Sequence, residues 1–290
     1  MKKLYCITGY KTHQDAPIIN GHQCREINLE EAKDISPEEV QRLDTAISKL
    51  RGVVENAYRI QPIFEASKEY NEALKTLNND NISGLLRLDR RFRAYAMEFD
   101  MFLDYWETSI AHYKRIDGSN DKEYIDRHKQ LFKDLTHNAY DNHLEYQLLD
   151  MIRNLTAHVQ SPMNHIRIGV SGNEAYADRD VLLAKCKNGK NKMNILKTQP
   201  KEIELTSIVN VTTECLNKIH DELIAYELDD LVIEECKILN SFIQNANLKG
   251  MLQNPWIMWD EDVPEKGAYH INDIPIYLYL LEQIQKNKAV

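Results

Sequence analysis

The chain has 290 residues, a formal net charge of −9 at pH 7, 43% hydrophobic residues and 28% charged residues. That is an ordinary globular composition with ample length to bury a core. The acidic balance argues against broad, sequence-independent coating of nucleic acid, though not against a local basic site that grips a few phosphates.

Residues 1–35 are mixed, with Leu4 to Thr8 expected as one short strand. Ser36-Pro37-Glu38-Glu39 predicts a helix start: Ser caps, Pro suits the first turn, and Glu39 sits where a capping box requires it. Val40, Leu43, Ile47, Leu50, Val54 and Ala57 follow at helical spacing. Pro62 is expected to kink or break this helix. A second helix is expected from Ile63 to Leu77. A long third helix should run from Leu86 to Ile116, with Phe92, Tyr95, Ala96, Phe99, Leu103, Trp106 and Ile110 as a bulky stripe. Asp117-Gly118-Ser119-Asn120 reads as its stop, with Gly supplying a left-handed exit. Shorter helices follow over Lys122 to Thr136 and Asn142 to Gln160, the latter ended by Pro162. His165 to Val170 alternates with period two and reads as a strand. Ser171-Gly172-Asn173 is a turn signal, with Val181 to Ala184 as the returning strand. Lys185 to Lys201 holds six lysines and no acidic residue and is expected to be a surface loop. Helices resume from Lys201 to Glu227 and from Leu231 to Asn245. Gly250 to Pro264 reads as irregular, with Trp256 and Trp259 as anchors, and Ile276 to Lys286 as a last helix.

The expected architecture is mostly α. An antiparallel helical bundle over 36–250 carries a β-hairpin and basic-loop insertion at about 163–200. It is preceded by an N-terminal segment over 1–35 and followed by a C-terminal helical extension over 251–290. The five cysteines are scattered and form no C-x-x-C pair, so neither a disulfide framework nor structural zinc is expected. No metal or cofactor is anticipated. The first eight residues do not read as a signal peptide, and no stretch approaches the roughly 20 apolar residues of a membrane span. A cytoplasmic location is the expectation.

The chemistry-bearing motif is Arg153-Asn154-Leu155-Thr156-Ala157-His158. On a wheel advancing 100° per residue, Leu144, Leu148, Ile152, Leu155 and Val159 form the core stripe. Asp150, Arg153, Asn154 and Ala157 fall on the other side, with His158 towards its edge. Asn154 and His158 are i,i+4 neighbours, while Arg153 points about 100° away from Asn154. The residue types suit RNA cleavage. His158 can act as general base on a ribose 2′-hydroxyl. Arg153 can clamp the phosphate and the charge that builds in the pentavalent state, and Asn154 can orient either. An Arg followed five residues on by His arises by chance about 0.4 times in such a chain, and about 0.03 times when Asn must follow the Arg. An Asp150–Arg153 ion pair on a solvated face is the competing structural reading.

Glu98 and Asp100 lie on the long helix expected near the motif, and one of them could orient Arg153 or His158. Asp150 is a further supporting candidate. Lys185, Lys187, Lys190 and Lys192 could funnel RNA towards the site. Arg87, Arg90, Arg91 and Arg93 form a second basic cluster, for which surface pairing is the simpler account. No phosphate-binding G-x-x-x-x-G-K-[ST], nucleophile-elbow G-x-S-x-G or H-E-x-x-H motif is present.

The motif resembles the R-x4–6-H signature of the HEPN superfamily of helical-bundle ribonucleases, in which a polar residue, often Asn, follows the Arg. The flanking Tyr146-Gln147-Leu148-Leu149-Asp150-Met151-Ile152 looks similar too, and the resemblance covers about residues 36–170. It implies a HEPN-like bundle and a metal-independent endoribonuclease. It also implies a homodimer whose two motifs face one another in a composite site, and a role in phage defence or toxin–antitoxin growth control with an antitoxin or defence protein as partner. One branch of the family has a modifiable tyrosine two residues after the His. This chain has Gln160 there, so that route of regulation is not expected. A non-catalytic helical dimer, acting as an adaptor, sensor or nucleotide-binding module, is the alternative.

Overall fold

The computed structural model describes residues 2–12, 18–19, 22–23, 25–77, 82–158, 162–170, 172–185, 190–245, 256–260 and 269–271. In chain order these form β1 (Lys2–Thr12), β2 (Ile18–Ile19), β3 (His22–Gln23), β4 (Arg25–Ile35), α1 (Pro37–Ala57), α2 (Gln61–Lys75), α3 (Ile82–Ala111), α4 (Lys122–Asn142) and α5 (Leu144–His158). They continue as β5 (Met163–Gly169), β6 (Gly172–Asp178), α6 (Arg179–Lys185), α7 (Lys190–Lys197), β7 (Glu202–Glu204), α8 (Leu205–Glu227), α9 (Asp230–Asn245), β8 (Trp256–Asp260) and β9 (Tyr269–Ile271). The chain is mostly helical, and its strands pair antiparallel in small sheets. The expected helix over Ile276 to Lys286 lies outside the described residues. The contacts divide the chain into two units, Met1–Asn56 with Glu227–Val290, and Ala57–Tyr226.

The first unit holds more strand than its sequence suggested. In place of one short strand, β1 and β4 are 11 residues each and pair from Lys2↔Ile35 to Thr12↔Arg25. The register shifts after Leu4 and after Ile7, the signature of β-bulges. The segment read as irregular contains β8, which pairs with β1 from Lys2↔Asp260 to Cys6↔Trp256 and makes the sheet order β4-β1-β8-β9. Pairing between strands some 250 residues apart leaves little local signal.

Helix α1 starts as predicted. The Ser36 hydroxyl accepts from the Glu39 N–H at 3.2 Å, and the Glu39 carboxylate accepts from the Ser36 N–H at 2.9 Å. This reciprocal pair satisfies two amides that would otherwise be orphans. In α9, Asp229 caps by accepting from the Val232 N–H at 3.0 Å. Lys49 of α1 pairs with Glu235 of α9. At the end of the unit, the fully buried Glu227 carboxyl accepts from the Asn56 amide at 2.8 and 2.9 Å. Burial pushes this carboxyl up to about 8, against an ordinary 4.5, with the Asn56 hydrogen bond opposing the shift.

The second unit is built around α3. Leu88, Phe92, Tyr95, Ala96, Phe99, Phe102, Trp106 and Ile110 recur every three or four residues and are all buried. Each large side chain contributes about 1.5–3 kcal/mol by leaving water. Helices α2, α4 and α5 pack on α3. Helix α8 is tied to it by the Tyr95 hydroxyl, which donates to the Val209 carbonyl at 2.9 Å and lies 2.9 Å from the Thr213 hydroxyl. Pro62 falls in the first turn of α2, where its missing N–H costs nothing. Gly118, at φ 79°, turns the chain after α3.

Two buried histidines complete this core. His128 of α4 sits among the rings of Trp106, Tyr113, Tyr124 and Tyr226 at centroid distances of 4.8 to 6.3 Å. His220 of α8 stacks edge-on to Trp106 at 5.8 Å, and its Nε2 lies 3.1 Å from the Ala57 carbonyl. Burial pushes both imidazoles down to about 4.

The β insertion is a three-stranded antiparallel sheet, β5-β6-β7. The returning strand is Gly172–Asp178, not Val181 to Ala184, which is helical in α6. Asp178 decides this by capping: its carboxylate accepts from the Asp180 and Val181 N–H groups at 2.8 and 3.1 Å. Gly172, at φ 134°, makes the hairpin turn. The Asn173 amide donates to the Leu74 and Leu77 carbonyls at 2.8 and 2.9 Å and so ties the sheet to the end of α2.

Candidate active site

Helix α5 carries the motif. Leu148, Leu149, Met151 and Ile152 bury its apolar face, Leu144, expected on the core stripe, is exposed in the first turn, and Tyr146 is buried edge-on against Phe99 at 5.1 Å and 71°. Gln147 anchors its first turn, donating from its side chain to the Tyr140 carbonyl at 2.6 Å. Burial, with the Asp150 charge, pushes the Tyr146 phenol upward.

Arg153 does not stand on an open face. Its guanidinium pairs with Asp100 on α3 and, through Nε, with Asp150 one turn back at 3.3 Å. It also lies 5.8 Å from the centroid of the Phe99 ring, a cation–π distance. Asp150 is shared, because Lys192 of α7 pairs with its other oxygen and sits 5.9 Å from the Tyr140 ring centroid. The result is a row of alternating charges, Asp100–Arg153–Asp150–Lys192, drawn from α3, α5 and α7.

The two carboxylates of that row differ. The Asp150 side chain is only 14% exposed, whereas Asp100 is 48% exposed. Asp150 is thus the less exposed of the two carboxylates and lies beside Nε, whereas Asp100 accepts the hydrogen bond from the guanidinium. Asp100 is a solvated partner that an incoming anion can replace, because an exposed ion pair is worth under about 1 kcal/mol. A guanidinium whose hydrogen-bonded carboxylate is solvated can exchange it for a phosphate oxygen.

The predicted residues distribute as follows. Asp150 pairs with Arg153, the i,i+3 contact that the competing structural reading expects. On α3 the carboxylate that pairs with Arg153 is Asp100; Glu98 lies about 200° around the helix from it and cannot share that position. Asn154 and His158 lie within α5, but their side chains lie outside the described residues. Lys192 comes to the site through Asp150. Lys185 closes α6 on the surface. Lys187 lies outside the described residues, as does the side chain of Lys190, which opens α7. The basic stretch, expected as a loop, is helical over 190–197. Of the second basic cluster, Arg91 pairs with Glu69 at 2.6 Å, Arg93 with Asp89 at 2.9 Å, and Arg87 donates to the Thr76 hydroxyl at 2.8 Å.

Sequence reasoning missed the Lys192–Asp150 link, which joins residues 42 positions apart and has no periodic signature. It also missed His128, His220 and Glu227. The last two were legible in principle: Leu216, His220, Leu223 and Glu227 share one apolar stripe of α8, where a polar residue is out of place.

Among the described residues no group of three or more His, Cys, Asp or Glu side chains is arranged to hold a metal ion, and no helix is long and apolar enough to cross a membrane. Comparisons with protein-family models, with curated proteins and with solved structures found no match.

Proposed function

We propose that this chain is a metal-independent endoribonuclease of HEPN type, working as a pair of copies. The observation that carries the proposal is the half-buried Arg153, paired with Asp100 and Asp150, on the helix that also bears Asn154 and His158. His158 takes the proton from a ribose 2′-hydroxyl, and that oxygen attacks the adjacent phosphorus. Arg153 exchanges Asp100 for a phosphate oxygen and holds the charge of the pentavalent state. Asn154 orients the phosphate or His158. The 5′-oxygen leaves, giving a 2′,3′-cyclic phosphate and a 5′-hydroxyl end, and DNA is spared because it lacks the nucleophile. The resemblance also supports a role in phage defence or toxin–antitoxin growth control, with an antitoxin or defence protein as partner.

The test is incubation with total RNA in EDTA beside His158→Ala and Arg153→Ala. Cutting by the wild type that both substitutions abolish is the expected result. Wild-type cutting that survives both substitutions refutes the assigned roles. The second reading is a non-catalytic adaptor, and one observation favours it: Arg153 is already engaged by two carboxylates, as in a purely structural network. Binding of RNA without cutting, across RNAs of varied structure, would select it.

A further inference from the structure

The outer face of α3 carries four exposed apolar residues on one line with polar ones. Leu86, Met97 and Met101 are 59%, 56% and 47% exposed, and Ile82 is exposed further along the same line. At 100° per residue, Ile82, Leu86, Arg90, Arg93, Met97, Met101, Asp104 and Thr108 fall within about 100° of one another, with Met97 at the centre. Scattered apolar residues need no explanation, but several aligned on one face and interleaved with polar residues suit an interaction surface.

The charges on this stripe are self-complementary. Arg90 lies seven residues before Met97 and Asp104 seven residues after it. Both are exposed, and among the described residues neither has an ion-pair partner, unlike Arg91 and Arg93 beside them. A two-fold axis through Met97 would run α3 antiparallel to its copy. Met97 then meets Met97 of the second copy, and Arg90 of each chain lies level with Asp104 of the other. A two-fold interface requires that residue i meets j while j meets i, and this spacing meets that requirement. At a shallow crossing of about 20°, an arginine side chain spans the remaining gap.

We infer that the outer face of α3 is a self-docking surface that joins two copies of this chain antiparallel about Met97, closed at both ends by Arg90–Asp104 pairs. This deepens the two-copy reading above, on which it rests for the number of copies, and adds the surface. Asp100 lies about 60° from the stripe centre and one turn from Met97, so the pairing carries the Arg153–Asp100 pairs of both copies to the rim of one interface. The stripe is roughly 40 Å long and about 10–12 Å wide. Two copies would bury about 900 Å² in total, near the lower limit for a specific interface. The complex is therefore weak and exchanging, visible at tens of micromolar.

Analytical ultracentrifugation of the full chain tests this. Wild type should dimerise, and Arg90→Asp and Asp104→Arg should each weaken the dimer at least tenfold by setting like charges opposite one another. Mixing the two single variants should restore a heterodimer, and the double variant should restore a homodimer. Circular dichroism checks that each variant is folded. A wild type that stays monomeric at such concentrations overturns the inference, as does a dimer indifferent to these charge reversals. A dimer that obeys the charge swaps but cuts no RNA supports this surface and counts only against the catalytic reading.

Discussion

Replacing Glu227 by glutamine should make the protein more stable, and increasingly so as pH rises. The carboxyl is fully buried and hydrogen-bonded to the Asn56 amide, and burial lifts it from 4.5 to about 8. In the folded chain it is protonated at neutral pH, whereas in the unfolded chain it ionises near 4.5. Between those values the unfolded state binds fewer protons, so stability falls as pH rises, by about 1.4 kcal/mol per unit. The stabilising contribution of the neutral acid is complete below pH 4.5 and lost by the time pH passes 8. Glutamine copies the protonated acid in shape and still accepts from Asn56, but it does not titrate. The gap between Glu227→Gln and wild type should therefore widen by about 3 kcal/mol between pH 5 and pH 8. Urea unfolding followed by circular dichroism at pH 5, 6, 7 and 8 measures it. Other titrating groups cancel in the difference, because they are common to both proteins. Two parallel pH profiles, with a constant offset, would refute the assignment of a neutral buried carboxyl.

Three further outcomes are expected. His128→Phe should protect against acid, because His128 is held near 4 and the unfolded state takes up more protons between pH 6.5 and 4; the gain at pH 5 is about 2 kcal/mol, and urea midpoints that fall equally steeply with acid in both proteins would contradict it. Tyr95→Phe removes the hydroxyl shared with Val209 and Thr213 on α8 and should cost about 1–3 kcal/mol, read as a lower urea midpoint at unchanged slope. Asp100→Asn should free the solvated side of Arg153 while Asp150 still holds it; fluorescence anisotropy should show RNA bound up to about fivefold more tightly, and weaker binding would mean that Asp100 positions Arg153 and does not compete for it.

Where burial imposes a period, the sequence is legible. The Ser36–Glu39 capping box and the Gly118 turn stand where their spacing predicts, and so does the stripe from Phe92 to Ile110, except that Phe102 is buried where Leu103 is expected. The failures share a cause. Val181 to Ala184 reads as a returning strand, but Asp178, as an N-cap, starts a helix there. Strand β8 is short, and its pairing with β1 spans almost the whole chain. The Asp150–Arg153 pair was readable as an i,i+3 relation, whereas Asp100 and Lys192 reach it from other helices.

The sequence by itself determined the helical periods, the caps, and the placing of Arg153, Asn154 and His158 on successive turns of one helix, because these follow from 3.6 residues per turn. Tertiary structure alone decided which charges from other helices meet that helix's polar face. It set the less exposed Asp150 and the more exposed Asp100 beside Arg153, placed a lysine on Asp150, and left apolar residues exposed on α3. The physical reason is that charge partners are chosen by which helices lie side by side, and the core packing that decides this carries no record in the local spacing of the charges.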